Sequence, residues 1–285
     1  MTQRLAPLAG DHATALPSLI LHRRNGPTEP LHCIFPLGLA LTTQGHKQVM
    51  LGERAFAYGP GESMLTTIDL PVAAHITRAS NREPYLGISL AFDAPLIVRV
   101  LSEVELPRRR ASAQFEPLSV RRLDEPTLDV LIRLLRLLDE PAMVRHLAPL
   151  IQYEFLVRLL HGPHAAHLAR LAAAGTPRRH VADVVTWLKQ HFAEPVAIDV
   201  LAERANMSPS TFRQHFRAIT DMSPVQFQKR LRLQEERQLM LTEGVSAAGA
   251  SALVGYESAS QFNREYRRLF GAPPQRDVRG ASGAR

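Results

Sequence analysis

Apolar and polar positions change their period along the chain, and each period predicts a different architecture. From about residue 18 to about residue 100, short apolar runs such as Tyr85-Leu86-Gly87-Ile88-Ser89-Leu90 are separated by turn residues. Gly45, Gly52, Gly59-Pro60-Gly61, Asp69-Leu70-Pro71 and Glu83-Pro84 supply the breaks. Regular spacing of this kind predicts an antiparallel β-sandwich or barrel. Near residue 126 the period becomes helical: Leu128, Leu131, Ile132, Leu135 and Leu138 fall on one face. A second helix is expected over residues 149–160, ended by Gly162-Pro163, and a short third over 164–173. Ala174-Gly175-Thr176-Pro177 reads as a linker. From residue 178 to about 270 the pattern is helices with short connections, and the tail from Arg279 is expected to be disordered. The fold class is therefore α+β, with a β-sandwich or barrel and helices in front of an all-α domain. The expected domains are 18–173 and 179–278, joined by a linker at 174–178.

Charge adds a direction to this picture. The formal net charge is +7. The last 110 residues hold 16 basic against 11 acidic side chains, and the first 175 hold 18 against 16. The positive excess lies C-terminally, as a polyanionic partner requires. A single cysteine, Cys33, excludes an internal disulfide, and a reducing, cytoplasmic compartment is expected. No stretch reaches the ~18 apolar residues of a membrane span, and the N-terminus lacks the apolar core of a signal peptide.

Two C-terminal segments share one design. Residues 196–205 and 246–254 read as short helices. Each is followed by a tight turn (Asn206-Met207-Ser208-Pro209; Gly255-Tyr256-Glu257-Ser258) and a second helix. Ser208 and Ser258 are good N-caps. Aromatics four apart, Phe212 and Phe216 or Phe262 and Tyr266, make the stripe to be buried. Aligning Phe212 with Phe262 gives a repeat of 50 residues. The opposite faces then expose Ser210, Arg213, Gln214 and Arg217 in the first unit. Ser260, Gln261, Asn263, Arg264, Arg267 and Arg268 are exposed in the second. Arginine bonds guanine bidentately, and Gln or Asn does the same to adenine. Residues 224–241 form a connecting helix of about 25 Å, enough to set two readers roughly one DNA turn apart.

On these residues the C-terminal part resembles the AraC/XylS family of bacterial regulators. The likeness is carried by Ile198, Leu201-Ala202, Met207-Ser208, Phe212, Phe216 and Ser223-Pro224. It continues in Val254-Gly255-Tyr256, Gln261-Phe262-Asn263-Arg264-Glu265-Tyr266 and Phe270-Gly271-Ala272-Pro273-Pro274. The resemblance implies a seven-helix DNA-binding domain whose first helix is near residues 179–192. It also implies base-facing roles for Ser210, Arg213 and Gln214, and for Ser260, Gln261 and Arg264; Asn263 joins them on its chemistry. Arg217, Arg267 and Arg268 are expected on phosphates, which position without reading sequence. Two departures are Gly249 inside a helix and Met207 where a Gly-aromatic or similar pair is more usual. The N-terminal part, through Gln44-Gly45-His46-Lys47, Tyr58-Gly59-Pro60-Gly61 and Asp69-Leu70-Pro71-Val72, resembles a cupin-type N-terminal domain of one AraC subgroup. That resemblance implies ligand sensing and names no ligand.

Each sharp reading has a plainer one beside it. Exposed Arg and Gln on a helix are commonly just solvated, and it is the paired units that favour DNA here. His46 and Lys47 are either an exposed turn or an effector contact. His32, His46 and His75 lack the His-x-His spacing of a metal cupin, so no metal and no cofactor is expected. Cys33 and Trp187 read as core, and Arg108-Arg109-Arg110 as a solvated loop. The function expected is sequence-specific binding of double-stranded DNA in transcription control, not catalysis. A small-molecule effector, RNA polymerase and a second copy of the chain are the expected partners, and no membrane. The alternatives are a cupin-like enzyme carrying a DNA-binding module, and a regulator whose β-domain only dimerises.

Overall fold

The computed structural model describes residues 1–104, 117–172, 176–256 and 258–282. After a short helix, α1 (Thr2–Leu5), come strands β1 (Gly10–Ala13), β2 (Leu19–Arg24), β3 (Leu31–Phe35), β4 (Gly38–Gln44) and β5 (His46–Leu51). They continue with β6 (Arg54–Tyr58), β7 (Glu62–Thr66), β8 (Leu70–Arg78), β9 (Tyr85–Ala91), helix α2 (Ala94–Glu103) and β10 (Leu118–Arg122). One antiparallel sheet has the order β1-β2-β9-β4-β7-β10, the other β3-β8-β5-β6. The strands begin earlier than residue 18 and run to Ala91, with β10 returning to the six-stranded sheet after α2. Residues 94–100, read as part of the strand region, instead belong to α2, which has a proline in its first turn. Gly45 and Gly52 take positive φ, +78° and +59°, at two turns marked in the sequence.

Helix α3 (Glu125–Arg136) starts where the Asp124 carboxylate accepts the Thr127 backbone N–H. One 3-10 turn follows (Leu137–Asp139), then α4 (Pro141–His161) and α5 (Ala165–Ala172). Val130, Leu131 and Leu134 of α3, with Phe155 and Leu159 of α4, pack onto Leu19, Leu39, Ile88 and Leu90 of the six-stranded sheet. Helix α4 begins eight residues before the expected Pro149, at a different proline. Pro149 instead lies inside it on an exposed face, where the carbonyl that it leaves unpaired can be hydrated.

Seven helices follow among the described residues: α6 (Pro177–Gln190), α7 (Ile198–Arg204), α8 (Pro209–Thr220), α9 (Pro224–Thr242), α10 (Ala247–Leu253), α11 (Ala259–Phe270) and α12 (Pro274–Ser282). Helix α12 corrects the expected disordered tail: Pro274 opens a helix that runs through Arg279 to Ser282. Thr176 and Pro177 likewise belong to α6, as N-cap and first-turn proline, rather than to a linker. Residues 174 and 175, and Arg108 to Arg110, lie outside the described residues. Trp187 is half-buried rather than core, stacked on His191 with ring centroids 4.3 Å apart and under the Arg204 guanidinium.

The two regions are joined by a shared core. Val49, Leu51, Met64 and Val72 of the sandwich belong to one cluster with Val181, Leu188, Phe212, Phe216 and Phe227 of the helices. Helix α9 lies on β3 and β8, and α11 touches β3. Three contacts clasp the edges. Lys189 pairs with Asp69 at 2.8 Å, and Arg54 faces Asp221 at 4.0 Å. His32 meets the Phe270 ring edge-on at 5.9 Å.

Candidate nucleic-acid interface

The two helix-turn-helix units end their first helices in the same way. The Asn206 and Met207 N–H groups donate to the carbonyls of Glu203 and Ala202. Those of Gly255 and Tyr256 donate to Ala252 and Ser251. This pair of bonds is a Schellman closure, and it requires a left-handed residue after the C-cap. Asn206 (φ 52°) and Gly255 (φ 82°) fill that position. At Gly255 a Cβ would also lie 2.1 Å from the Ala193 carbonyl oxygen, so glycine is doubly required. The repeat is therefore 49 residues between first helices and 50 between second helices. The second turn is longer by one residue.

Both second helices are then capped by serine. The Ser208 hydroxyl accepts from the Thr211 N–H and Ser258 from the Gln261 N–H. Phe212 and Phe216 are fully buried, as are Phe262 (1%) and Tyr266 (0%), with ring centroids 5.4 Å apart within each pair. That orientation leaves Ser210, Arg213, Gln214 and Arg217 exposed on α8. Ser260, Asn263, Arg264, Arg267 and Arg268 are exposed on α11. None of these arginines makes an ion pair among the described residues. Gln261 differs: it is half-buried and its amide donates to the Glu265 carboxylate at 3.3 Å. Glu265 is shared with Lys229 and the Tyr256 hydroxyl, and this network holds its carboxyl below the usual range against the opposing effect of burial.

Helix α9 enters both units. Phe227 and Leu231 belong to the core around α8, Leu233 and Met240 to that around α11. Leu239 and Leu241 of the same helix are only half-buried. Polar staples missed by the sequence reading fix α9 further. Arg232 donates to the carbonyls of Phe192, Ala193, Glu194 and Gly255, and Gln228 to those of Phe192 and Glu194. A lone Arg and Gln within a charged helix carry no signal for this. Asp277 of α12 accepts from Arg237 and from the Tyr266 hydroxyl at 2.8 Å.

His46 and Lys47 do not share a site. As consecutive residues of one strand they turn to opposite faces of β5. His46 packs against Gly59 and lines an open cleft with Gln44, Arg78 and Glu83. Lys47 points between the sheets, its ammonium 4.9 Å from the centre of the Phe35 ring. Cys33 is half-buried against the shared core rather than within it, and burial pushes its thiol up to about 11. Among the described residues no three His, Cys, Asp or Glu side chains cluster for a metal. Among the described residues no helix is long and apolar enough to cross a membrane.

A β-sandwich fused to two matched helix-turn-helix units defines a class, the two-domain helix-turn-helix proteins. The family model for the AraC-type transcriptional regulator N-terminus matches residues 15–167, and a helix-turn-helix domain model matches 201–279. The chain belongs to the AraC-type transcriptional regulators. Over 103 residues it is 33% identical to the transcriptional regulator CdhR of Pseudomonas aeruginosa, covering 36% of this chain and 31% of that one. Over 96 residues it is 30% identical to the transcriptional activator RhaS of Escherichia coli, covering 34% of each. These matches span about a third of the relatives' length. The fold matches that of ToxT from Vibrio cholerae with TM-score 0.61 at 7% identity, over 92% of this chain and 97% of that one.

Proposed function

We propose that this chain is a sequence-specific regulator of transcription that reads two adjacent major-groove segments and answers to a small-molecule effector. The observation that carries this is the pair of serine-capped helices, α8 and α11, each exposing unpaired arginines and both tied to α9. Ser210, Arg213, Gln214, Ser260, Asn263 and Arg264 are the base-facing set, with Gln261 joining once it leaves Glu265. Arg217, Arg267 and Arg268 bind phosphates and give affinity that falls with salt. The sensing domain is 18–173 and the DNA-binding domain 179–278.

The sandwich is the natural seat of the effector. A ToxT structure holds an unsaturated fatty acid, so a chain of this architecture has room for a small molecule. Lys47, inside the sandwich, is the effector contact favoured by the geometry, and His46 is a weaker one at the outer cleft. Helix α4 supports a homodimer. While Val144 and Ala148 are buried, Met143, Leu147 and Leu150 form an exposed apolar stripe on the other side. Occupancy of the site would recruit or exclude RNA polymerase. Binding, not catalysis, is the role this arrangement serves.

The test is selection of random duplex DNA by the purified full-length protein, followed by sequencing. Enrichment of a two-part motif with halves about one helical turn apart is the expected result. A single half-site, or no enrichment in the presence or absence of cell metabolites, would overturn the paired-reader reading.

A further inference from the structure

The two faces of the six-stranded sheet are unlike. Leu19, Leu21, Ile88 and Leu90 pack under α3 and α4. Alternation along the strands turns their neighbours the other way, toward the second sheet. There Asp11 of β1 stands in register with His22 of β2, and Ser89 of β9 lies diagonally beyond, opposite Ile20. The three side chains join in one line. His22 Nδ1 lies 2.7 Å from the Asp11 carboxylate, and its Nε2 lies 2.8 Å from the Ser89 hydroxyl. Arg24 donates to the same Asp11 oxygen at 2.7 Å.

These bonds fix the protons. Against the opposing effect of burial, His22 and Arg24 hold the Asp11 carboxyl well below the usual carboxylate range, so it is ionised and only accepts. Nδ1 of His22 therefore carries the proton, and Nε2 offers its lone pair to the Ser89 hydroxyl. Burial lowers the His22 imidazole below its usual value, against the Asp11 bond and helped by the Lys47 and Arg24 charges, so the ring is neutral near pH 7. A neutral imidazole held in that tautomer, within reach of a hydroxyl, is a general base for a nucleophile. Ser89 also borders space. With Phe35, Gly38, Ala40 and Thr66 it lines a cavity of about 50 Å³, about the size of a two-carbon acyl group. Strand β9 is paired on both sides, by β2 and β4. Its backbone N–H groups are engaged in those ladders, so β9 offers no free pair of amides to a developing oxyanion.

We propose that Ser89 is an activated nucleophile that takes the acyl group of a small activated ester, an acetyl-sized group carried on a good leaving group. The Ser89 oxygen forms a bond to the acyl carbon while His22 Nε2 takes the hydroxyl proton. The bond from that carbon to the leaving group breaks, and the leaving group departs with the electron pair. Asp11 steadies the imidazolium until it gives the proton to solvent. Without oxyanion donors from β9 the leaving group must be weakly basic, and ordinary esters and amides do not react. The acyl group fills the cavity and excludes the water that would release it, so the chain keeps a covalent mark rather than turning over. This goes beyond the reading of DNA and does not depend on it.

Mixing the full-length protein with p-nitrophenyl acetate tests this. About one equivalent of p-nitrophenolate should be released in a burst, and peptide mass spectrometry should place an acetyl group on Ser89. Ser89→Ala should lose both the burst and the label. His22→Gln and Asp11→Asn should slow the burst by about tenfold or more. The reference rate is that of the chain unfolded in urea, which keeps every serine but not the arrangement. An acetyl group found only on other side chains, a Ser89 rate no faster than in urea, or a rate that survives His22→Gln would overturn the proposal and leave the three side chains as a staple of β1 to the sheet. Release well past one equivalent would overturn the arrest at the acyl-serine. If the histidine variant does not fold, the place of the label and the comparison with urea still decide.

Discussion

The two helix-turn-helix units carry the same local code in different surroundings. Around α8, Phe212 and Phe216 join a core that runs through α6 and α9 into the β-sandwich. Around α11, Phe262 and Tyr266 close a small cluster with Leu233, Met240 and Ala250. The second unit also has Gly249 within α10 and a longer turn. Its core contains the Glu236 carboxyl, fully buried and without a hydrogen-bond partner. What differs is support, not reading chemistry. The first unit shares its core with the β-sandwich, while the second rests on it through α11 and Phe270 and is otherwise held by α9 and α12.

Removal of a buried ring should break the symmetry most sharply. Phe216→Ala and Phe262→Ala each delete a buried aromatic, at about 3–5 kcal/mol. The first should lower the unfolding midpoint of the whole chain. The second should raise hydrogen exchange mainly in α10, α11 and α12 and leave the sandwich protected. Equal, global effects in both would mean the units are equally braced. Glu236 comes next. Burial pushes its carboxyl up to about 8, against about 4.3 in an unfolded chain. Between those values the folded state holds the extra proton, so stability should fall as pH rises from about 4.5 to about 8. Glu236→Met should remove that slope and stabilise the second unit near pH 9 by on the order of 2–4 kcal/mol, read by urea unfolding at several pH values. An unchanged slope would place the proton elsewhere.

Arg264→Ala should cost about 1–3 kcal/mol on the selected site and relax one or two base pairs. Arg267→Ala should weaken all sequences alike and reduce the salt slope by about one. If binding assays show the same sequence-blind loss for both, Arg264 is not a reader. The smallest effect is expected at Gly249→Ala. Helix propensity favours alanine by up to ~1 kcal/mol. The added methyl would meet the Val245 side chain at 3.2 Å, which must give slightly. A modest rise in the stability of the second unit should appear by hydrogen exchange, and a loss would show that Val245 cannot move.

Local signals explain what the sequence made legible. Ser208 and Ser258, followed at fixed spacing by aromatic pairs, specify cap, helix and buried face within a dozen residues. The turn glycines mark strand ends for the same reason. Strand order is not local, and nothing in the chain announces that β2 lies beside β9. Pro149 misplaced the start of α4 because a proline favours the first turn but is tolerated on an exposed helix face. Of the site, the exposed face of α8 was readable, while the tie between Gln261 and Glu265 was not. Lys47 looked like a turn residue beside His46, but it belongs to strand β5, on the same face as the buried Val49 and Leu51. The docking of α9 on β3 and β8 depends on surfaces far apart in sequence.

Helix α9, built into both cores and stapled by Arg232 to the loop before α7 and to the turn after α10, has a consequence on the DNA side. One base pair added between the half-sites would rotate the second by roughly 34–36° around the duplex, since B-DNA turns once in about 10–10.5 base pairs. A pair of readers without a joint cannot follow that rotation. Binding sites for this protein should therefore vary more readily in their letters than in their spacing, and a single inserted base pair should weaken binding more than several point changes do.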